Sequence, residues 1–182
     1  MTSNPIFRGV ATALVTPTTE NGVDYEALGR LIDWQIDEGI DAIVAVGTTG
    51  EGPTLTDAEH REAIRFCVER VAGRVPVIAG TGSNCTRDAV YMSKEAEQMG
   101  ADGLLCVTPY YNKATQKGLI QHFGAVAKYV DIPLILYNIP GRTGCNILPA
   151  TAATMIKEYD NIIAMKDATG NLPQTLETLE AC

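Results

Sequence analysis

The sequence predicts an α/β chain holding the first six units of a (β/α)8 TIM barrel. Three observations predict it. Short β-branched runs recur at intervals of about 30 residues, the length of one βα unit. Segments with helical periodicity fill the intervals, and polar side chains stand at the downstream end of run after run. Strands buried on both faces and joined through helices form a parallel sheet. Polar groups gathered at strand C-termini are what barrel active sites are made of.

The first run, Val10 to Val15, leads into Thr16-Pro17. It is not followed by the GxGxxG turn of a dinucleotide-binding doubly wound sheet, and no GxxxxGK[ST] loop occurs. Leu28, Leu31, Ile32 and Ile36 form the stripe of a first helix, and Gly39 suits its left-handed end. Ala42 to Val46 is the second run, with Gly47-Thr48-Thr49-Gly50-Glu51-Gly52 behind it. Thr56-Asp57-Ala58-Glu59 reads as a capping box for the helix whose stripe is Ile64, Cys67, Val68 and Val71, ending at Gly73. The third run is Val75 to Ala79, with Thr81 at its tip and Gly100 after the next helix. Gly103 to Val107 precedes Thr108-Pro109-Tyr110-Tyr111-Asn112, and Pro133 to Tyr137 precedes Asn138-Ile139-Pro140-Gly141-Arg142-Thr143-Gly144. Pro149 suits the first turn of a fifth helix. Asn161 to Met165 is the sixth run, Lys166 follows it, and Leu172, Leu176 and Leu179 open a sixth helix.

Composition narrows the function. Lys and Arg number 14 against 22 Asp and Glu, a net charge of -8, which disfavours nucleic acid or an anionic membrane as partner. No apolar run reaches the roughly 18 residues of a membrane span, and Met1 to Pro5 lacks the charged and apolar regions of a leader. The five cysteines (Cys67, Cys85, Cys106, Cys145, Cys182) are odd in number and have no CxxC pair. Reduced thiols in a cytoplasm fit that better than disulfides or zinc. Both histidines, His60 and His122, fall inside helical patterns and are expected at the surface or in packing. Neither a metal nor a cofactor is expected.

The chemistry centres on Lys166. A lysine at the tip of a buried strand holds its amine in poor solvent; desolvation disfavours the ammonium and favours the neutral nucleophile that a Schiff-base enzyme needs. The Gly47–Gly52 loop can turn backbone N–H groups toward an anion, with the Thr48 and Thr49 hydroxyls beside them, or can be an ordinary flexible turn. Tyr110 and Tyr111 are packing residues or cavity-facing phenols. Tyr137 can relay protons where a hydroxyl and an amine lie within reach. Arg142 offers a planar fork for a carboxylate, or a plain surface charge.

Four segments together, GTTGE at Gly47 to Glu51, PYYN at Pro109 to Asn112, YNIPGRTG at Tyr137 to Gly144 and KDATG at Lys166 to Gly170, resemble the dihydrodipicolinate synthase family of the class I pyruvate-dependent aldolases and lyases. The resemblance runs from about Gly9 to the last residue. It implies a cytoplasmic lyase of lysine and diaminopimelate biosynthesis that condenses pyruvate with L-aspartate 4-semialdehyde to 4-hydroxy-tetrahydrodipicolinate. Lys166 would form the imine. Tyr137, Thr48 and Tyr111 would relay protons, with Tyr111 reaching into a neighbouring subunit. Thr48 and Thr49 would hold the pyruvate carboxylate, and Arg142 that of the second substrate. Positions matching a lysine-regulatory pocket are Gly52, Pro53, His60, Asn84, Asp88 and Tyr110. Gly52 and Pro53 lack the hydroxyl often found there, so an ordinary helix-surface role for His60 and Asp88 stays open. N-acetylneuraminate lyase and the 2-keto sugar-acid aldolases share the lysine and the tyrosine; the second threonine of GTTGE and Arg142 favour the synthase.

A complete barrel takes about 250 residues, against 182 here. The expectation is therefore an incomplete barrel domain over 1–182: strands one to six and the start of helix six, without the last two units and the C-terminal helical region that contributes to a tetramer of paired dimers. Such a chain would be a fragment of a longer protein, a pair of copies completing each other by exchange, or a non-catalytic piece. Its exposed sheet edges would invite pairing.

Overall fold

Each apolar run becomes a strand in the computed structural model, which describes residues 5–182. Met1–Asn4, part of the N-terminus read as leaderless, lies outside the described residues. In chain order the elements are β1 (Ala11–Ala13), β2 (Thr18–Thr19), β3 (Gly22–Val23), α1 (Tyr25–Asp37), β4 (Ala42–Ala45), a 3₁₀ turn (Gly52–Thr54), α2 (Asp57–Val71), β5 (Val77–Gly80), α3 (Thr86–Gln98), β6 (Gly103–Val107), α4 (Gln116–Ala127), β7 (Leu134–Asn138), α5 (Pro140–Thr143), α6 (Pro149–Glu158), β8 (Ile162–Asp167) and α7 (Leu172–Ala181). Strands β1, β4, β5, β6, β7 and β8 hydrogen-bond in that order in one six-stranded sheet. The β1–β4, β4–β5 and β7–β8 pairs are parallel. A doubly wound sheet reverses its order at a switch point; this one runs in sequence throughout, the order of the first six units of a (β/α)8 barrel.

Two compact units make up the chain. One holds residues to Thr81 together with Glu95–Leu104, the other Gly82–Lys94 with Leu105–Cys182. In the first, Leu28 and Ile32 of α1, Ile43 of β4, Ile64 of α2 and Ile78 of β5 are all but fully buried, each contributing about 1.5–3 kcal/mol of transfer free energy. Asp24 caps α1 by accepting the Ala27 N–H at 2.9 Å. The capping box of α2 forms as its sequence predicts: the Glu59 N–H donates to Thr56 Oγ1, and the Thr56 N–H to Glu59 Oε2. Gly39, Gly73 and Gly100 all take positive φ.

The second unit buries Leu119, Phe123, Leu134, Leu136, Ile147 and Met155. Thr115 caps α4, Pro149 opens α6, and Asn171 caps α7. The leucines that predict α7 do not pack it. Leu172, Leu176 and Leu179 are 69%, 54% and 72% exposed, and Gln174 and Thr178 are the buried pair.

Boundaries move for identifiable reasons. The fifth strand begins at Leu134 because Pro133 has no N–H to give the ladder. The second ends at Ala45 because Val46 leaves extended geometry with a φ of 54°. The sixth runs on through Lys166 and Asp167, paired opposite Tyr137 and Asn138. The β2–β3 hairpin and the one-turn α5 were not predicted; elements of two to four residues show no periodicity to read.

Candidate functional site

In the first unit the candidate groups lie on the loop after β4, and strain sets its shape. Val46 is β-branched yet left-handed, a conformation costing about 1–3 kcal/mol that persists only where neighbours impose it. Here glycines make room for it. A Cβ on Gly52 or Gly80 would lie 2.6 or 2.5 Å from the Val46 carbonyl oxygen. Thr16 Oγ1 donates to the Gly50 carbonyl at 2.7 Å and fastens the loop from β1's side. Within the loop the Glu51 N–H bonds Thr48 O and the Gly52 N–H bonds Gly47 O. Neither bond uses the Thr48 or Thr49 N–H, and both threonines are exposed. The loop can therefore offer two amides and two hydroxyls to an anion.

In the second unit Lys166 and Tyr137 stand opposite each other on adjacent parallel strands. The Lys166 Nζ lies 4.5 Å from the Tyr137 ring centroid, a cation–π contact of about 0.5–1 kcal/mol at an exposed site. Tyr137 is 7% exposed. The expected desolvation of Lys166 is not found: its side chain is exposed. Among the described residues β8 stands last in the strand order, with β7 as its hydrogen-bonded neighbour. Behind the lysine the turn is firmly held. The Ala168 N–H donates to Asn138 O at 2.9 Å, and Asp167 accepts the Thr169 N–H and the Thr175 hydroxyl. Burial opposes ionisation of Asp167, but those hydrogen bonds outweigh it and hold the carboxyl below its usual range.

Arg142 projects from α5 and is exposed, with Thr143 buried beneath it. The Thr143 hydroxyl bonds the Ile139 and Cys145 carbonyls, and its own carbonyl accepts the Tyr111 N–H at 3.1 Å. Tyr111 is 90% exposed on a left-handed backbone with a φ of 70°, so a bulky side chain is held outward at a conformational cost. Tyr110 is half-buried, and its carbonyl accepts the Asn112 N–H. Asn112 also donates to the Asn84 carbonyl. Asp88 is exposed beside Arg87.

The histidines are interior groups. His60 is 5% exposed, and burial lowers its pKa against a hydrogen bond to the Gly80 carbonyl; a helix-surface role does not describe it. His122 is 4% exposed, its Nδ1 2.8 Å from Thr86 Oγ1 and its Nε2 without a partner among the described residues. Burial pushes it down to about 4. Among the described residues no helix is long and apolar enough to cross a membrane. Sequence reasoning missed Val46, Asn138 and Asp167. Only their places beside GTTGE, Tyr137 and Lys166 marked them.

The chain matches known proteins over nearly its whole length. The model of the dihydrodipicolinate synthetase family matches residues 6–182. The 4-hydroxy-tetrahydrodipicolinate synthase of Lachnoclostridium phytofermentans is 61% identical over 178 residues, covering 97% of this chain and 60% of that one. Among solved structures, the chloride-inhibited dihydrodipicolinate synthase of Acinetobacter baumannii complexed with pyruvate aligns with a TM-score of 0.92 at 48% identity, over 95% of this chain and 60% of that one. The Cyanidioschyzon merolae enzyme with lysine bound aligns with a TM-score of 0.93 at 43% identity, over 98% and 61%. The chain thus spans about 60% of the length of the proteins it matches.

Proposed function

The chain belongs to the dihydrodipicolinate synthetase family, and on that footing we propose that it carries the imine-forming part of a 4-hydroxy-tetrahydrodipicolinate synthase acting on pyruvate and L-aspartate 4-semialdehyde. The observation that carries the reading is the Lys166–Tyr137 pair, an amine and a phenol ring 4.5 Å apart on strands in register. Because Lys166 is exposed, the proposal rests on that placement rather than on desolvation.

The Lys166 amine adds to the carbonyl carbon of pyruvate and water leaves, giving an imine. The imine draws electrons from the adjacent methyl group, which loses a proton to become an enamine. The enamine carbon bonds to the aldehyde carbon, and the resulting alkoxide takes a proton. The substrate's own amine then adds to the imine carbon and releases Lys166. Tyr137 is assigned the proton transfers because one phenol oxygen both donates and accepts, with Thr48 and Tyr111 as further hydroxyls of the relay. The Thr48 and Thr49 amides and hydroxyls are assigned to the pyruvate carboxylate, and the exposed Arg142 fork to that of the second substrate.

Tyr111, exposed on a strained backbone, is assigned to a neighbouring copy in a homo-oligomer. The cytoplasm is the proposed location. A second ligand is motivated by the lysine-bound relative. For it Asp88 supplies an exposed carboxylate, and Asn84 and Tyr110 supply polar groups, while the buried His60 ring serves packing.

The test is incubation with pyruvate, borohydride reduction and peptide mass spectrometry. A reduced adduct on Lys166 is expected. A folded sample with no adduct, or with one elsewhere, overturns the assignment. Condensation with aspartate 4-semialdehyde but not with sugar aldehydes separates the synthase from the sugar-acid lyases.

A further inference from the structure

We infer that Asn138 is a positioning residue whose side-chain amide closes the loop bearing Arg142 and thereby sets the capture of the second substrate's carboxylate. This rests on the synthase reading above. Asn138 is fully buried at the tip of β7, next to Tyr137. Its Nδ2 donates to the Ile147 carbonyl at 3.2 Å and to Asn146 Oδ1 at 2.9 Å, and its Oδ1 accepts the Ile147 N–H at 3.0 Å. One side chain therefore satisfies both backbone groups of Ile147 and draws the two ends of the Ile139–Asn146 segment together.

Other groups reinforce the closure. Gln174 of α7 donates to Asn146 Oδ1 and to Ile147 O, and accepts from Asn146 Nδ2. Gln116 of α4 donates to the Asn146 carbonyl. Within the closed segment the Arg142 and Thr143 N–H groups bond Ile139 O, and the Gly144 N–H bonds Pro140 O. Arg142 thus rides on a turn whose base is an amide lattice.

The two ends of Asn138 do separate jobs. Its backbone carbonyl holds the Ala168 N–H behind Lys166, and substitution leaves that carbonyl in place. Its side chain holds the arginine loop. Changing the side chain should therefore loosen second-substrate capture and spare imine formation, which a general packing defect would not do.

Asn138→Asp retains the acceptor for the Ile147 N–H and removes both amide donors. Amide hydrogen exchange over 139–147 should accelerate about tenfold or more, the effect of losing one net hydrogen bond, with exchange elsewhere unchanged. The KM for aspartate 4-semialdehyde should rise about tenfold, the KM for pyruvate staying within about twofold. Should the aspartate variant not fold, Gln174→Met removes the donor to Ile147 from the other side and should speed exchange over the same segment.

Unchanged exchange over 139–147, or a loss spread across the whole chain, overturns the inference. So do equal rises in both KM values. A parent chain giving no Lys166 adduct defeats the synthase reading, and the loop exchange still decides whether Asn138 closes the loop.

Discussion

Lys166 Nζ sits over the face of the Tyr137 ring, 4.5 Å from its centroid, and the two residues are register partners across β7 and β8. The contact is made by the ring, whereas the chemistry assigned to Tyr137 belongs to its hydroxyl. The two can be separated. Tyr137→Phe keeps the ring under the amine, so borohydride trapping of pyruvate on Lys166 should persist, while turnover falls by about 10²- to 10⁴-fold. Tyr137→Ala should weaken trapping as well. Near-normal turnover of Tyr137→Phe removes the phenol from the relay.

The Val46 strain makes a sharp steric prediction. Gly52→Ala and Gly80→Ala each drive a methyl to within 2.6 Å of the Val46 carbonyl oxygen, and each should cost about 1–3 kcal/mol in denaturant unfolding. Gly141→Ala, with nothing among the described residues within 4 Å of the added carbon, is the control and should change little. Equal effects at all three positions would show that the loop yields to Val46.

Much of the fold was legible because strand runs and caps are local signals. Thr56 with Glu59, Pro149 and Gly39 announce helix ends through groups a few residues apart. The strained Val46 was not legible, because its φ is accommodated by the missing side chains of Gly52 and of the distant Gly80. Nor was the exposure of Lys166. A run of Ile162 to Met165 looks like an interior strand, and it takes the sheet order to show that among the described residues it pairs with β7 alone. The paired positions of Tyr137 and Lys166 at successive strand tips were foreseeable. The amide lattice around Asn138 was not, since Asn146 and Gln174 are polar residues in segments where polar residues ordinarily face water.

The capping box of α2 should be worth its usual amount. Thr56→Ala removes the acceptor for the Glu59 N–H and the hydroxyl that donates to Glu59 Oε2, leaving that oxygen the backbone N–H of residue 56. A loss of about 1 kcal/mol is expected by urea unfolding, and no change would mean that α2 is held by its buried face alone.

His122 gives the chain an acid sensitivity. Its pKa is pushed down from 6.5 to about 4 by burial, so the ring is neutral in both states above pH 6.5. Between 6.5 and 4 the unfolded chain takes up a proton that the folded chain refuses. Stability present above pH 6.5 is therefore lost as pH falls, by about 3 kcal/mol at most. Urea midpoints at pH 7 and pH 4.5 should separate more in the parent than in His122→Gln, and equal separations would place the acid sensitivity elsewhere.

The inverted face of α7 bears on calorimetry. In this 182-residue chain, which spans about 60% of the length of its relatives, Leu172, Leu176 and Leu179 are exposed, so melting the helix changes their contact with water very little. What the melt breaks are the directional bonds of Gln174 and the packing around Thr178. Release of α7 should consequently absorb heat while adding little to the heat capacity of the unfolded chain. A low-temperature shoulder with an almost level baseline would be its thermal signature.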